Sequence, residues 1–157
     1  ESFIGTIPGS ASETSALLIL LGAAYLIISG VGSWRIIISG IIGGLFMSIL
    51  FNYFSTGLET TNYLFKINPL HQICLGGFLF GVVFMATDPV SAAQTSRGKW
   101  IYGFLVGFLG ILIRVVNPAY PEGIMMAIIF MNVMAPLIDH YVVSANINRR
   151  MKRVKTT

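Results

Sequence analysis

The stretch IIISGIIGGLFMSILFNYF, residues 36–54, carries no charged side chain over nineteen positions, and its reading decides the fold. A hydrocarbon core about 30 Å thick needs roughly 20 mostly apolar residues to be crossed as a helix, and this run is of that length. Nothing in the bilayer can satisfy an exposed backbone amide, so a spanning segment is a helix or a strand of a closed barrel. Barrel strands would alternate apolar and polar residues over about ten positions. A continuous run of Ile, Leu, Phe and Gly does not, and a helix is predicted.

The rest of the chain agrees. Of 157 residues, 55% are hydrophobic and only 10% charged, with a mean hydropathy of +0.79. Soluble domains carry roughly 25% charged residues, and a chain of this size has no core large enough to bury such an excess. Four further apolar segments follow the same pattern, giving expected helices at about 15–31, 36–53, 70–87, 100–116 and 123–143. The predicted fold is therefore an all-α integral membrane bundle of five transmembrane helices, with an outer segment at 1–14 and a basic tail at 144–157. Gly40, Gly43 and Gly44 on the second helix, and the GxxxG pairs Gly77/Gly81 and Gly103/Gly107, supply small residues at spacings that let helices approach closely.

Orientation follows from the cations. A cytoplasmic tail places Arg35, Arg97, Lys99 and the five tail cations Arg149, Arg150, Lys152, Arg153 and Lys155 inside, against Lys66 and Arg114 outside. That ratio of eight to two obeys the positive-inside rule, and the opposite topology reverses it. Residue 1 is then expected on the outer side of the membrane. The sequence pI near 9.5 points to no nucleic-acid partner, because half of the cations sit in the last nine residues; membrane lipid is the expected contact. The chain opens at Glu1 without a methionine, as expected of a piece of a longer polypeptide.

No catalytic or metal-binding signature occurs: HExxH, paired CxxC, GxxxxGK[ST] and GxSxG are all absent. Lone Cys74 reads as a small buried hydrophobe and His71 as an interfacial side chain. The informative polar groups sit at the membrane margins. Asp88 closes the third segment before Pro89, which cannot continue a helix. A carboxylate there meets the unfavourable end of the helix dipole, so it reads either as a helix stop paired with a local cation, Arg97 or Lys99, or as an ion ligand. In the last segment Asn132, Pro136 and Asp139 fall on one helical face. Pro136 removes the donor for the Asn132 carbonyl, so this set reads as a proline kink or as a path for a hard cation or a proton. On the outer side Arg114 and Glu122 read as an ion pair or two interfacial anchors. Ser10, Ser12, Thr14 and Ser15 precede the first helix, where hydroxyls cap free N–H groups and where a phosphate could also be held.

Several stretches together carry a resemblance: IPGSASETSALLILLGAAYLI, SWRI, GGFLFGVVFMATDPVSA, GKW, IRVVNPAYPEGIMMAI and NVMAPLIDHYVV. From about residue 3 to 150 the chain resembles the B-type subunit of the sodium-translocating NADH:quinone reductases (Nqr). It is also similar at FMATDPV, YPEG and PLID to the sister family, the D-type subunit of Rnf electron-transport complexes. The resemblance implies a redox-driven sodium pump of several subunits. Such a complex oxidises NADH elsewhere, passes electrons through flavins and iron–sulfur centres to quinone, and exports Na+. It implies a covalent FMN on a threonine in an S-G-A-T type motif. No such motif is present, Thr87 in FMAT lies on the wrong side, and the attachment threonine is expected upstream of Glu1. Ser10, Thr14 and Ser15 would then border the FMN environment. Asp88 and Asp139 match membrane carboxylates implicated in sodium movement, with Asn132 beside them; the role of Glu122 in PEG is less defined. The competing readings are a structural scaffold and a non-redox transporter.

Overall fold

The computed structural model describes residues 15–55, 67–75, 77–117 and 122–155; residues 1–14, with Ser10 and Thr14, and Lys66 lie outside them. Every element in the described residues is helical. In order they are α1 (Ala16–Ile28), α2 (Trp34–Ser55), α3 (Pro69–Cys74), α4 (Phe78–Phe80) running into a π-helical turn (Gly81–Met85), α5 (Ser96–Val116) and α6 (Gly123–Lys155). Three helices, α2, α5 and α6, are long and apolar enough to cross a membrane, and α1 is a shorter apolar helix. The chain is an all-α membrane protein.

Local chemistry sets each boundary. The Ser15 hydroxyl accepts from Leu18 N–H and starts α1. Ser29 N–H returns to the Tyr25 carbonyl, and Gly30 takes the left-handed φ of +75° that ends the helix and turns the chain. Asn68 caps α3 by accepting from Leu70 N–H, with Pro69 at the first helical position, where no N–H is needed. The Asn52 amide donates to the Ile67 carbonyl at 3.1 Å and ties this start to the end of α2.

One expected helix is found broken. The third apolar segment is not one helix over 70–87. It stops at Leu75, whose backbone is extended (φ −86°, ψ 139°), restarts at Gly77, and then widens into the π turn closed by Ala86 N–H to the Gly81 carbonyl. The reason lies in the LGGF sequence: two adjacent glycines at 76–77 weaken a helix interior. Residues 144–155, in the basic tail, continue α6, whose 33 residues make a rod of about 50 Å. Pro136 lies within that rod without ending it.

Helix α5 is the hub, packed on one side by α2 and on the other by α6. Its inward positions Tyr102, Val106, Ile111 and Val115 are fully or almost fully buried. The α2–α5 crossing is a backbone contact: a Cβ built on Gly107 would overlap the Gly40 carbonyl oxygen, and one on Gly43 would overlap that of Phe104. The π turn packs into the groove beside α1 and α6, with Val82, Val83 and Ala86 fully buried. Outward faces stay apolar, as Leu21 and Ile28 on α1, Ile49 and Tyr53 on α2, and Ile129 and Val133 on α6 show. This is the composition of surfaces meant for lipid or for further helices.

Candidate functional site

The polar groups gather at the corner between the π turn and α5, at the end of the bundle that carries Arg35, Arg97 and Lys99. Residues 86–95 make this corner, and three small devices hold it. Thr87 donates its hydroxyl back to the Val83 carbonyl at 2.6 Å, closing the π turn. Asp88 Oδ2 accepts from both the N–H (3.1 Å) and the hydroxyl (2.6 Å) of Ser91, fixing the turn after Pro89. The Gln94 amide donates to the Pro89 and Ala92 carbonyls, at 2.7 and 3.0 Å, and folds the loop on itself.

The fourth tie comes from α6. Asp139 Oδ2 accepts from Gln94 N–H at 2.7 Å, and Oδ1 accepts from Thr95 N–H at 3.1 Å and from the Thr95 hydroxyl at 2.5 Å. The Thr95 oxygen in turn accepts from Gly98 N–H at 3.0 Å and caps α5. The carboxylate therefore sits at the positive end of the α5 dipole, where an anion is favoured. Three of its roughly four lone-pair positions are occupied. Gly98 leaves room for this carboxylate: a Cβ there would come within 2.5 Å of Asp139 Oδ1, so that side chain would have to shift.

Asp88 is differently placed. It lines a small cavity of about 50 Å³ with Ser33, Thr87, Gln94 and Lys99 among its walls. A water needs about 10–15 Å³ of such space, so the cavity has room for a few water-sized groups and none for an organic ligand. The Ser91 donors keep the Asp88 carboxyl below the usual carboxylate range. A lowered value means that the ionised form is the one stabilised. That stabilisation is present above the ordinary carboxylate value and is lost as pH falls through the lowered one. Ser91→Ala should move the Asp88 midpoint upward, towards the ordinary value, readable as earlier growth of the protonated-carboxyl infrared band on acidification. An unchanged midpoint would show that Ser91 does not set it.

The remaining expected residues lie apart. Asn132 accepts from the buried Tyr102 hydroxyl at 2.5 Å. It sits seven residues before Asp139, about 10 Å along the helix, and so is a bundle tie away from the corner. Ser15 caps α1. Glu122 is exposed at the start of α6, beside a cavity of about 230 Å³ that Gly77, Phe80, Met85, Ile124 and Met125 also line. Arg114 reaches the break in the third segment, where Nη1 donates to the Gln72 carbonyl at 3.0 Å and to the Leu75 carbonyl at 2.6 Å. A cation on the last carbonyls of α3 answers both their lost partners and the helix dipole. Arg114→Met should cost about 2 kcal/mol or more, seen as a lowered Tm of the detergent-solubilised assembly; an unchanged Tm would refute the role.

Sequence reasoning missed Ser91, Gln94 and Thr95, which supply the donors of the corner. It also missed the buried pair Ser48 and Gln72, joined at 2.8 Å. Thr95 had a readable signal, a capping residue followed by a helix-length apolar pattern. Helix α5 starts at Ser96, four residues before the expected Trp100. Ser48 and Gln72 gave only the weaker signal of lone polar side chains within apolar runs.

Comparison with known proteins places the chain. The NQR2, RnfD, RnfE family matches residues 1–148. Over 153 residues, 98% of the chain, it is 54% identical to the B-type subunit of the Na(+)-translocating NADH-quinone reductase of Chromohalobacter salexigens, covering 36% of that protein. The same subunit of Stutzerimonas stutzeri is 52% identical, with 37% of it covered, and that of Yersinia pestis is 53% identical, with 36% covered. The chain thus spans little more than a third of the length of the curated relatives it matches.

Proposed function

We propose, because the chain belongs to the NQR2, RnfD, RnfE family, that it is a membrane-embedded portion of the B-type subunit of a sodium-translocating NADH:quinone reductase. In this reading the corner at residues 86–95 is where Na+ reaches the subunit from the cytoplasm. The identities near 50% to relatives bearing that subunit's name favour the Nqr branch over Rnf. The partners are the other subunits of the complex, quinone and lipid. Five spans are counted by adding α1 and the broken α3–α4 segment to the three long helices. The cation-rich end, with the α6 tail, faces the cytoplasm of a bacterial inner membrane.

The observation that carries the sodium reading is the cavity beside Asp88. Sodium is a hard cation that takes oxygen ligands. Asp88, Ser33, Thr87 and Gln94, which line the cavity of about 50 Å³, are residue types that carry such oxygens. Lys99 also lines the cavity, and its charge acts on Asp139. Asp139 acts at least by holding this geometry, since its hydrogen bonds fix residues 94 and 95.

A covalent FMN, other flavins and iron–sulfur centres belong to this reading as electron carriers elsewhere in the subunit and its partners. When bound, FMN would supply one step of electron transfer. The one described hydroxyl of the expected FMN border, on Ser15, is engaged in capping α1, so no step of the redox chemistry is derived from these residues. The test is Asp88→Asn in the intact complex. Loss of one charged ligand should raise the apparent KM for sodium about tenfold, with the complex still assembled and NADH oxidation intact at saturating sodium. An unchanged sodium KM would overturn the role. A loss of assembly in place of a KM change would favour the scaffold reading.

A further inference from the structure

We infer that the end of α6, where it runs on past α5, is a docking helix for an acidic amphipathic segment of another subunit, outside the bilayer. The inference rests on the reading of this chain as one subunit of a multisubunit membrane complex. Val143, Ile147 and Met151 follow one another at intervals of four, and so form one stripe on the helix. They are 46%, 51% and 55% exposed. Ala145, two positions from Val143 and from Ile147, falls on the opposite side and lines the groove towards Arg97 and Ile101 of α5. The stripe therefore faces away from the bundle.

Its depth excludes hydrocarbon. Asp139 binds Gln94 and Thr95 at the very start of α5. The headgroup level is marked by Trp34 and Trp100, whose ring centroids are 5.9 Å apart, and Trp100 is already inside α5. Ile147 and Met151 stand eight and twelve residues beyond Asp139, roughly 12 and 18 Å further along α6. An apolar stripe in water is a surface for another polypeptide.

Charge chooses which polypeptide. Residues 140–157 contain five cations and no carboxylate. Arg150 is exposed and, three residues after Ile147, shares its face. The first of the five, Arg149, stands roughly 15 Å along α6 from Asp139, whereas charges are screened over about 8 Å at physiological ionic strength. Anionic headgroups are too far away to hold these cations, so their counter-charge comes from the carboxylates of a protein. Fixing the topology needs the cations but neither the helix nor the stripe. Like charges repel along a helix end, and a short helix without packing is marginal in water. An acidic helix laid on the stripe answers both, with its apolar side on Ile147 and Met151 and a carboxylate towards Arg150.

The test places a photo-crosslinking amino acid at Ile147 or at Ala145 of the intact complex in its own membrane, with captured peptides identified by mass spectrometry. Ile147 should capture one segment of another subunit that carries Asp or Glu within a turn of the captured position, and Ala145 should not capture it. With the crosslinker at Ile147, Arg150→Glu should lower capture roughly fivefold, and Arg150→Lys should leave it near the unmodified level. Capture of lipid, of this same subunit or of nothing at Ile147 would overturn the proposal, as would capture indifferent to Arg150→Glu. Sodium-dependent quinone reduction by the same membranes reports on the functional reading separately. Failed capture with that activity present refutes the docking alone, and successful capture in a complex without sodium dependence refutes the sodium reading alone.

Discussion

Replacing Gly107 by leucine is expected to abolish stable assembly of the subunit, and Gly107→Ala to lower its Tm by several degrees. The physical reason is a contact between backbones. A Cβ at position 107 would overlap the Gly40 carbonyl oxygen and lie 2.8 Å from the Gly40 carbonyl carbon and 2.9 Å from Gly44 N. No flexible side chain is there to yield, so α2 and α5 must separate along their whole shared face. Overpacking costs about 1–3 kcal/mol where side chains give way, and more where they cannot. The crossing also carries Gly103, whose added Cβ would come within 2.6 Å of the Ile36 carbonyl oxygen. The control is Gly32→Ala, at the loop before α2, where the nearest atom is the Leu26 Cβ at 3.0 Å and a small shift suffices. The measurement is the yield and Tm of the detergent-purified assembly. Equal values for Gly107→Leu and the unmodified protein would mean that this crossing does not hold the bundle.

Much of this architecture is legible from the residues. The charge-free run at 36–54, the small-residue spacing at 40–44 and 103–107 and the Ser15 cap each dictate what is found, because each works through local or single-face chemistry. The broken third segment was hidden by its own hydropathy: LGGFLFGVVFM is apolar throughout, and hydropathy does not distinguish an intact helix from one that stops at Leu75. The π turn adds one residue to a helical turn without any change of composition. At the candidate site, Asp88 and Asp139 stood out because carboxylates are rare in so apolar a chain. What stayed hidden was that they serve one corner. They are separated by 51 positions, and only the packing of α6 on α5 brings Asp139 to Gln94 and Thr95. Asn132 shares a helical face with Asp139, as the spacing says, yet its side chain answers Tyr102, a partner no spacing on α6 could reveal.

The second large effect is expected from Asp139→Asn. Asparagine keeps one acceptor oxygen and puts an NH2 group where the carboxylate faced N–H donors, so at least one of the three ties is lost and a donor meets a donor. A hydrogen bond to a charged group contributes about 1.5–3 kcal/mol. Partial solvent access reduces that to ~2 kcal/mol or less for the corner as a whole. The bundle survives such a loss, since α5 and α6 remain packed through Val106, Ile128 and Met131. The corner does not, and with residues 94 and 95 released the cavity beside Asp88 loses its wall at Gln94. Thr95→Val removes only the hydroxyl tie, together with the α5 cap it provides to Gly98. Its effect should be in the same direction and smaller.

The most direct test of the corner as the site of sodium uptake is the sodium dependence of quinone reduction by the intact complex carrying Asp139→Asn, beside Thr95→Val and the unmodified protein. The account predicts an apparent sodium KM raised about tenfold or more by Asp139→Asn and by a smaller factor by Thr95→Val, with equal amounts of assembled complex. A sodium KM unchanged in both variants, with assembly intact, would contradict it.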